Sequence, residues 1–251
     1  MLHLLKRHSL PVVAFFRHSL VLTFAYPQGL LQPLLPPGLV LDTYKGFGFL
    51  AIAMVQTMHL RPSFLPEFLG QDFFLSGYRI FARLDTPGSS IRGLRILRSD
   101  TNKRLMVLAG NALTHYAYRL CKAECKEEPG KLHITISTPR GDADLEVVAD
   151  LANKPACLPE GSPFENTDDG RRFAGPLPFT FDYESQTNSI IMIRGVREHW
   201  KPQPVGVDLL KCNFLKSPPF CEAPPILANA FHLQDVPYRW ERGVRRPVTV
   251  Q

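Results

Sequence analysis

No stretch of this sequence carries five basic residues in a row, no CxxC pair occurs, and the GxGxxG, P-loop and HExxH signatures and any Ser/His/Asp hydrolase motif are absent. Without a basic stripe, a nucleic-acid partner is not expected. The formal net charge of +6 is read as a soluble basic surface or a site that attracts anions. The five cysteines, Cys121, Cys125, Cys157, Cys212 and Cys221, are odd in number and lack zinc-ligand spacing, so free thiols in a reducing compartment are expected. His3, His8, His18, His133, His199 and His232 show no metal spacing either, and neither metal nor cofactor is expected. Lys6-Arg7-His8 and Arg17-His18 interrupt the apolar N-terminus, and no small-residue cleavage site follows. Neither a signal peptide nor a membrane span is read there, and a cytoplasmic location is the expectation.

What is present is apolar bulk and proline. Apolar residues make up 45% of the chain and prolines number 23, clustered at Pro36-Pro37, Pro218-Pro219 and Pro224-Pro225. Proline ends elements and avoids central strands, so many short elements in a single domain spanning 1–251 are expected. Residues 1–20 read as an entry segment with one short helix, and 20–26 as a strand. A short helix covers 28–35. Strands at 39–44 and 47–56 flank a Lys45-Gly46 turn, where glycine supplies positive φ. Residues 59–72 read as an apolar loop packed over one end of the fold, or else as a contact surface. Strands follow at 73–84 and 91–98. The run 103–109 fits a strand or a short helix equally. Strands are read at 113–122, 132–137 and 145–151, with 123–131 as a hairpin turn between the first two. A loop with one short helix near Arg171–Phe173 covers 153–178. The remainder reads as strands at 179–183, 189–196 and 205–216, a helical run at 226–231 and a closing strand at 236–242. This is an antiparallel meander.

The chemistry-bearing side chains gather between Gly93 and Arg119. The basic turn Arg98-Ser-Asp-Thr-Asn-Lys-Arg104 precedes Leu105-Met-Val-Leu-Ala109, then Gly110-Asn111 and the cluster Thr114-His115-Tyr116-Ala117-Tyr118. The run Leu105 to Tyr118 resembles the DUF2071, or YqjF-like, family of uncharacterised proteins at Leu105, Val107, Leu113, His115 and Tyr118. So does Pro33-Leu-Leu-Pro-Pro-Gly-Leu39 with Leu41-Asp42 and the Lys45-Gly46 turn, and Arg79 stands where that family has a strand arginine. The family is similar in fold to acetoacetate decarboxylase. The resemblance therefore implies an α+β, mainly β chain: a cone-like antiparallel β-barrel with a few short flanking helices, often a homo-oligomer.

The resemblance also implies candidate chemistry. Acetoacetate decarboxylase attacks a β-keto acid with a lysine amine whose pKa is lowered by an apolar pocket and a neighbouring cation. Lys103, next to Arg104, is the candidate nucleophile. The spacing from Gly93 is longer than in the decarboxylase and a proline is missing, and a solvated turn lysine is the plain alternative. Asp72 and Asp100 are loose equivalents of the acids that flank that lysine. Arg79, facing a cavity, would hold a carboxylate through paired N–H donors; facing outward, it would make a surface ion pair. Asn111 is a turn residue or a polar contact. His115 and Tyr118 fall on opposite faces of an ideal strand, so both line one pocket only if the chain turns at Ala117. The first reading is thus a lyase-like enzyme acting on a small carboxylate or carbonyl compound through a lysine imine. The second is a non-catalytic ligand-binding or structural protein of the same fold.

Overall fold

Long runs of β-branched and aromatic residues become long strands in the computed structural model, which describes residues 2–153, 158–198 and 200–248. A four-residue helix, α1 (Leu2–Leu5), leads to β1 (Val12–Pro27) and α2 (Gln28–Leu31). Then come β2 (Val40–Leu41), β3 (Phe47–Pro62), β4 (Gln71–Thr86) and β5 (Ser89–Thr101). Helix α3 (Arg104–Leu113) and β6 (Tyr118–Leu120) precede three strands, β7 (Lys122–Glu128), β8 (Lys131–Ser137) and β9 (Leu145–Asp150). The last part holds α4 (Thr167–Ala174), β10 (Phe179–Glu184), β11 (Ser189–Arg197), β12 (Gln203–Pro204), β13 (Gly206–Cys212), β14 (Ile226–Trp240) and β15 (Val244–Pro247).

Strands β14, β1, β3, β4, β5, β10 and β11 pair in that order, and β11 turns back to meet β14 over Gly195–Arg197. The contacts of β5 with β10 and with β6 are parallel. The sheet is therefore mixed, where a wholly antiparallel barrel was expected. A second, antiparallel sheet, β13-β9-β8-β7, lies against one face of the first. Its inward residues, among them Leu132, Ile134, Leu145 and Val147, share one apolar cluster with Leu20, Leu22, Leu50, Ile52, Tyr78 and Ile80 of the main sheet. Strands covered on both sides read as nearly continuous apolar runs, which is why β1, β3 and β4 lack clean alternation.

Several boundaries differ from the sequence reading. Strand β1 starts at Val12 because the polar interruption is absorbed: His18 is buried and its Nδ1 lies 3.1 Å from His232 Nε2 on β14. Residues 226–231, rich in Ala and Leu, are strand and not helix, since pairing with β1 overrides local propensity. The run 104–113 is helical, the expected strand 113–122 shrinks to Tyr118–Leu120, and the expected turn at 123–131 is mostly strand β7. The apolar 59–72 loop is shortened by β3 and β4, and Phe64 and Phe68 of it are exposed. Lys45 and Gly46 both have positive φ and Tyr44 and Phe47 bridge across them, but the expected strand at 39–44 shrinks to β2, which pairs with β4 and not with β3. Cys121, Cys125, Cys212 and Cys221 are free thiols, and burial lifts the Cys125 and Cys212 pKa values to about 11. Cys157 lies outside the described residues.

Candidate anion-binding site on the inner face

The face of the main sheet turned away from the second sheet carries one row of directly paired residues: Asn229 on β14, Thr23 on β1, Ala51 on β3 and Arg79 on β4. Paired residues in a sheet point the same way, so these side chains share a surface. A register shift on β5 beside Tyr78 and Arg79 marks a bulge there. Tyr78 goes to the apolar cluster under the second sheet, and Arg79 goes inward. The neighbouring row narrows from Phe231 and Val21 to Ala53 and Gly77 beside Arg79. Gly77 approaches so closely that an added Cβ would lie 3.0 Å from Arg79 Nε.

The Arg79 Nε is buried, while the side chain as a whole is half-buried and keeps some accessible surface. Its Nε has no hydrogen-bond partner, and no carboxylate among the described residues pairs with it. Burial lowers its pKa, and Arg197 lowers it further against the opposing influence of Tyr238, Tyr116 and Tyr118. In the same row the Thr23 hydroxyl is buried without a partner, and Asn229 is buried.

The wall opposite is aromatic and comes from the segment after α3. Helix α3 buries Met106 and Gly110, one turn apart. Gly110 is needed because the Tyr118 ring lies on it; a Cβ would meet Tyr118 Cδ2 at 2.3 Å. Asn111 holds Tyr118 by two backbone bonds, accepting from its N–H at 2.8 Å and donating to its carbonyl at 2.9 Å. Ala117 has φ 51°, so the chain makes the turn that brings Tyr116 and Tyr118 to one side. The Tyr116 hydroxyl is buried and unpaired, and burial raises its pKa well above the ordinary phenol value. Burial likewise pushes Tyr118 up to about 12. Both phenols therefore stay protonated at neutral pH and can donate to an anion.

His115 sits beside this wall. Its backbone N–H donates to Asp182 Oδ2 at 2.9 Å and its Nδ1 lies 3.0 Å from the same oxygen. Arg95 donates to Asp182 Oδ1 at 2.9 Å. Burial alone would raise the Asp182 pKa, but these partners hold it below the usual carboxylate value. The ionised carboxylate can only accept, so the hydrogen of this contact sits on His115 Nδ1. His8 packs on Tyr116 with ring centroids 4.9 Å apart, and burial lowers its pKa to about 4.

Lys103 occupies the N-cap position of α3 and is exposed, with Arg104 exposed beside it. It lacks the apolar enclosure that imine chemistry relies on, and no lysine among the described residues is buried. Asp72 is exposed and bonds the His59 N–H; Asp100 is fully buried but paired with Arg98. Thus Arg79 and Tyr118 come together, Asn111 positions Tyr118, His115 adjoins through Asp182, and Lys103 stands apart. Sequence reasoning missed Thr23, Asn229, Tyr116, Arg197 and Tyr238. A lone polar residue inside an apolar strand run was the available signal for Thr23 and Asn229. Arg197 and Tyr238 are joined to the group only by the β11–β14 pairing. An open groove of about 650 Å³, lined by Phe15, His59, Arg61, Glu67, Glu198 and Tyr238, reaches the same tyrosine from outside. Glu67 and Glu198 of this groove are exposed, and Arg61 is half-buried and bonds the carbonyls of Leu65 and His59. No group of three or more His, Cys, Asp or Glu among the described residues is arranged to hold a metal ion. No helix among them is long and apolar enough to cross a membrane.

The model of DUF2071, a family of uncharacterised conserved proteins, matches residues 14–232. No curated protein matches the sequence. Solved structures share the fold. Acetoacetate decarboxylase from Legionella pneumophila aligns with TM-score 0.61 at 12% identity, covering 95% of this chain and 88% of that one. An acetoacetate decarboxylase-like enzyme from Sphingomonas wittichii RW1 aligns at 0.59 and 13%, covering 98% and 96%. The enduracididine biosynthesis enzyme MppR complexed with pyruvate aligns at 0.61 and 9%, covering 94% and 90%.

Proposed function

This chain belongs to the DUF2071 family, and from that premise we propose that it binds a small carboxylic or keto acid on the inner face of its main sheet without forming a lysine imine. One observation carries the reading: the Arg79 Nε is buried without a hydrogen-bond partner, and no carboxylate among the described residues pairs with this guanidinium. An uncompensated buried charge costs several kcal/mol. A carboxylate would offset that cost through paired charge-assisted hydrogen bonds. Tyr116 and Tyr118 would donate to the bound acid, with Thr23 and Asn229 beneath it. The pyruvate bound by one protein of the same fold carries the negative charge that this reading needs. The lyase-like alternative needs an enclosed amine, and exposed Lys103 does not supply one.

Isothermal titration with pyruvate, acetoacetate and butyrate tests the reading. Binding by at least one acid, lost in Arg79→Gln at unchanged fold, is expected. Borohydride trapping with the same keto acids should leave the intact mass unchanged. An adduct mapped to Lys103 would restore the imine mechanism.

A further inference from the structure

We propose that the ligand is a dianion, a dicarboxylic acid that spans Arg79 and a second cation, Arg197. The inference rests on the carboxylate reading of Arg79 and adds a charge requirement to it. Arg197 lies at the end of β11 directly opposite Tyr238 on β14, so both side chains share the inner face. Its guanidinium carbon is 5.1 Å from the Trp200 ring centroid and 5.5 Å from that of Tyr238. Nη2 donates to the carbonyls of Pro176 at 3.2 Å and Leu177 at 2.7 Å. Nε and Nη1 have no hydrogen-bond partner among the described residues, and no carboxylate pairs with this arginine either.

The Arg197 guanidinium packs on Tyr238, Arg79 lies within electrostatic reach of both, and burial lowers the pKa of both arginines. The acids nearby do not balance them. Asp182 is committed to His115 and Arg95. Glu198, next in sequence to Arg197, is exposed and lines the outer groove. The phenols cannot substitute, since burial keeps Tyr116 and Tyr118 protonated. A monocarboxylate would neutralise one cation and leave the other uncompensated. Two carboxylates joined by a short linker would neutralise both, and the cations stand on different strands, which favours two separated charges over the compact charge of a phosphate. Carbonyl bonds and aromatic stacking hold Arg197 in place without neutralising it, so it is preset for the second carboxylate.

Isothermal titration should compare malonate, succinate and glutarate with the matching monoamides, succinamate and glutaramate, and with inorganic phosphate. The charge-assisted hydrogen bonds of the second carboxylate should make the best diacid about tenfold or more tighter than its monoamide. Arg197→Gln should abolish that preference, bringing diacid and monoamide affinities together, and Arg197→Lys should retain part of it. Far-UV circular dichroism of each variant checks the fold, and the wild-type comparison stands without any variant. Equal affinity for diacid and monoamide overturns the dianion inference and leaves the Arg79 reading standing. Phosphate binding tighter than every diacid overturns the dicarboxylate class. Absence of binding by any acid overturns both.

Discussion

Arg79 and Arg98 sit side by side on neighbouring strands and meet opposite surroundings. Arg98 pairs across from Tyr78, the residue before Arg79. Its Nε donates to both oxygens of Asp100 at 2.9 Å, and Nη1 and Nη2 donate to Asp142 at 2.7 and 3.1 Å. Those bonds use its donors in ion pairs between the main sheet and the turn before β9. Arg79 has five donors and, among the described residues, no protein acceptor. A buried cation that the fold satisfies is a structural element. One left unsatisfied is a cost to folding that only an external anion can offset, and this difference separates a fold residue from a site residue.

The comparison can be broken most sharply at Arg98. Removing one partner of a buried ion pair costs about 3–5 kcal/mol, so Arg98→Ala should shift the urea midpoint far toward lower denaturant. A loss below about 1 kcal/mol would mean that the Arg98 network is no more structural than Arg79.

Acid should expose the same contrast in two windows. His8 and His232 are depressed by burial to about 4 from 6.5, so the unfolded chain takes up protons that the folded one refuses. The stability they contribute is full above about 6.5 and is lost as pH falls toward 4, an effect on the order of 3 kcal/mol at most for each. Asp142 follows. Its hydrogen bond from Arg98 holds its pKa at about 2, so its contribution is present above 3.8 and is lost between there and about 2. Urea titrations from pH 8 to 2 should show both steps. His232→Gln should flatten the first, and Arg98→Ala should remove the second.

Ligand linkage is the next effect in size. A bound acid at a hundred times its Kd should stabilise the wild type by about 2.7 kcal/mol, and Arg79→Met should show none of it. The same substitution without ligand should raise stability, because it removes an unpaired buried charge and keeps the apolar stem. A large destabilisation would show that Arg79 has a structural partner after all. Smallest of all, Lys103→Ala should alter neither the thermal midpoint nor acid binding, consistent with its exposure at a helix start.

Much of the architecture was legible because pattern and propensity agree with the fold. The Lys45-Gly46 turn, the alternation of β8 and β9, and the Gln28–Leu31 turn of helix follow from local chemistry. The errors came where tertiary contacts outweighed it. Ile226–Phe231 looks helical and is strand because β1 offers it a partner along its whole length. His18 looks like an interruption and is buried because His232 and Glu127 meet its two ring nitrogens. Strand alternation puts His115 and Tyr118 on opposite faces and could not foresee the turn at Ala117, which depends on Tyr118 packing against Gly110 and on Asn111 clasping its backbone.

By itself the sequence determined a mainly β chain of this family, and it marked Arg79 as a charge embedded in an apolar strand. Composition, periodicity and turn chemistry act over a few residues, so these features could be read directly. Tertiary structure alone decided which cation the fold neutralises. Arg98 meets Asp100 two residues away and Asp142 in a distant turn, while Arg79 and Arg197, far apart in sequence, come together around Tyr238 with no carboxylate among the described residues between them. Lys103, beside a run that looked central, was turned outward by the helix it begins. Burial and charge pairing are properties of where strands cross in space, and no local pattern encodes them.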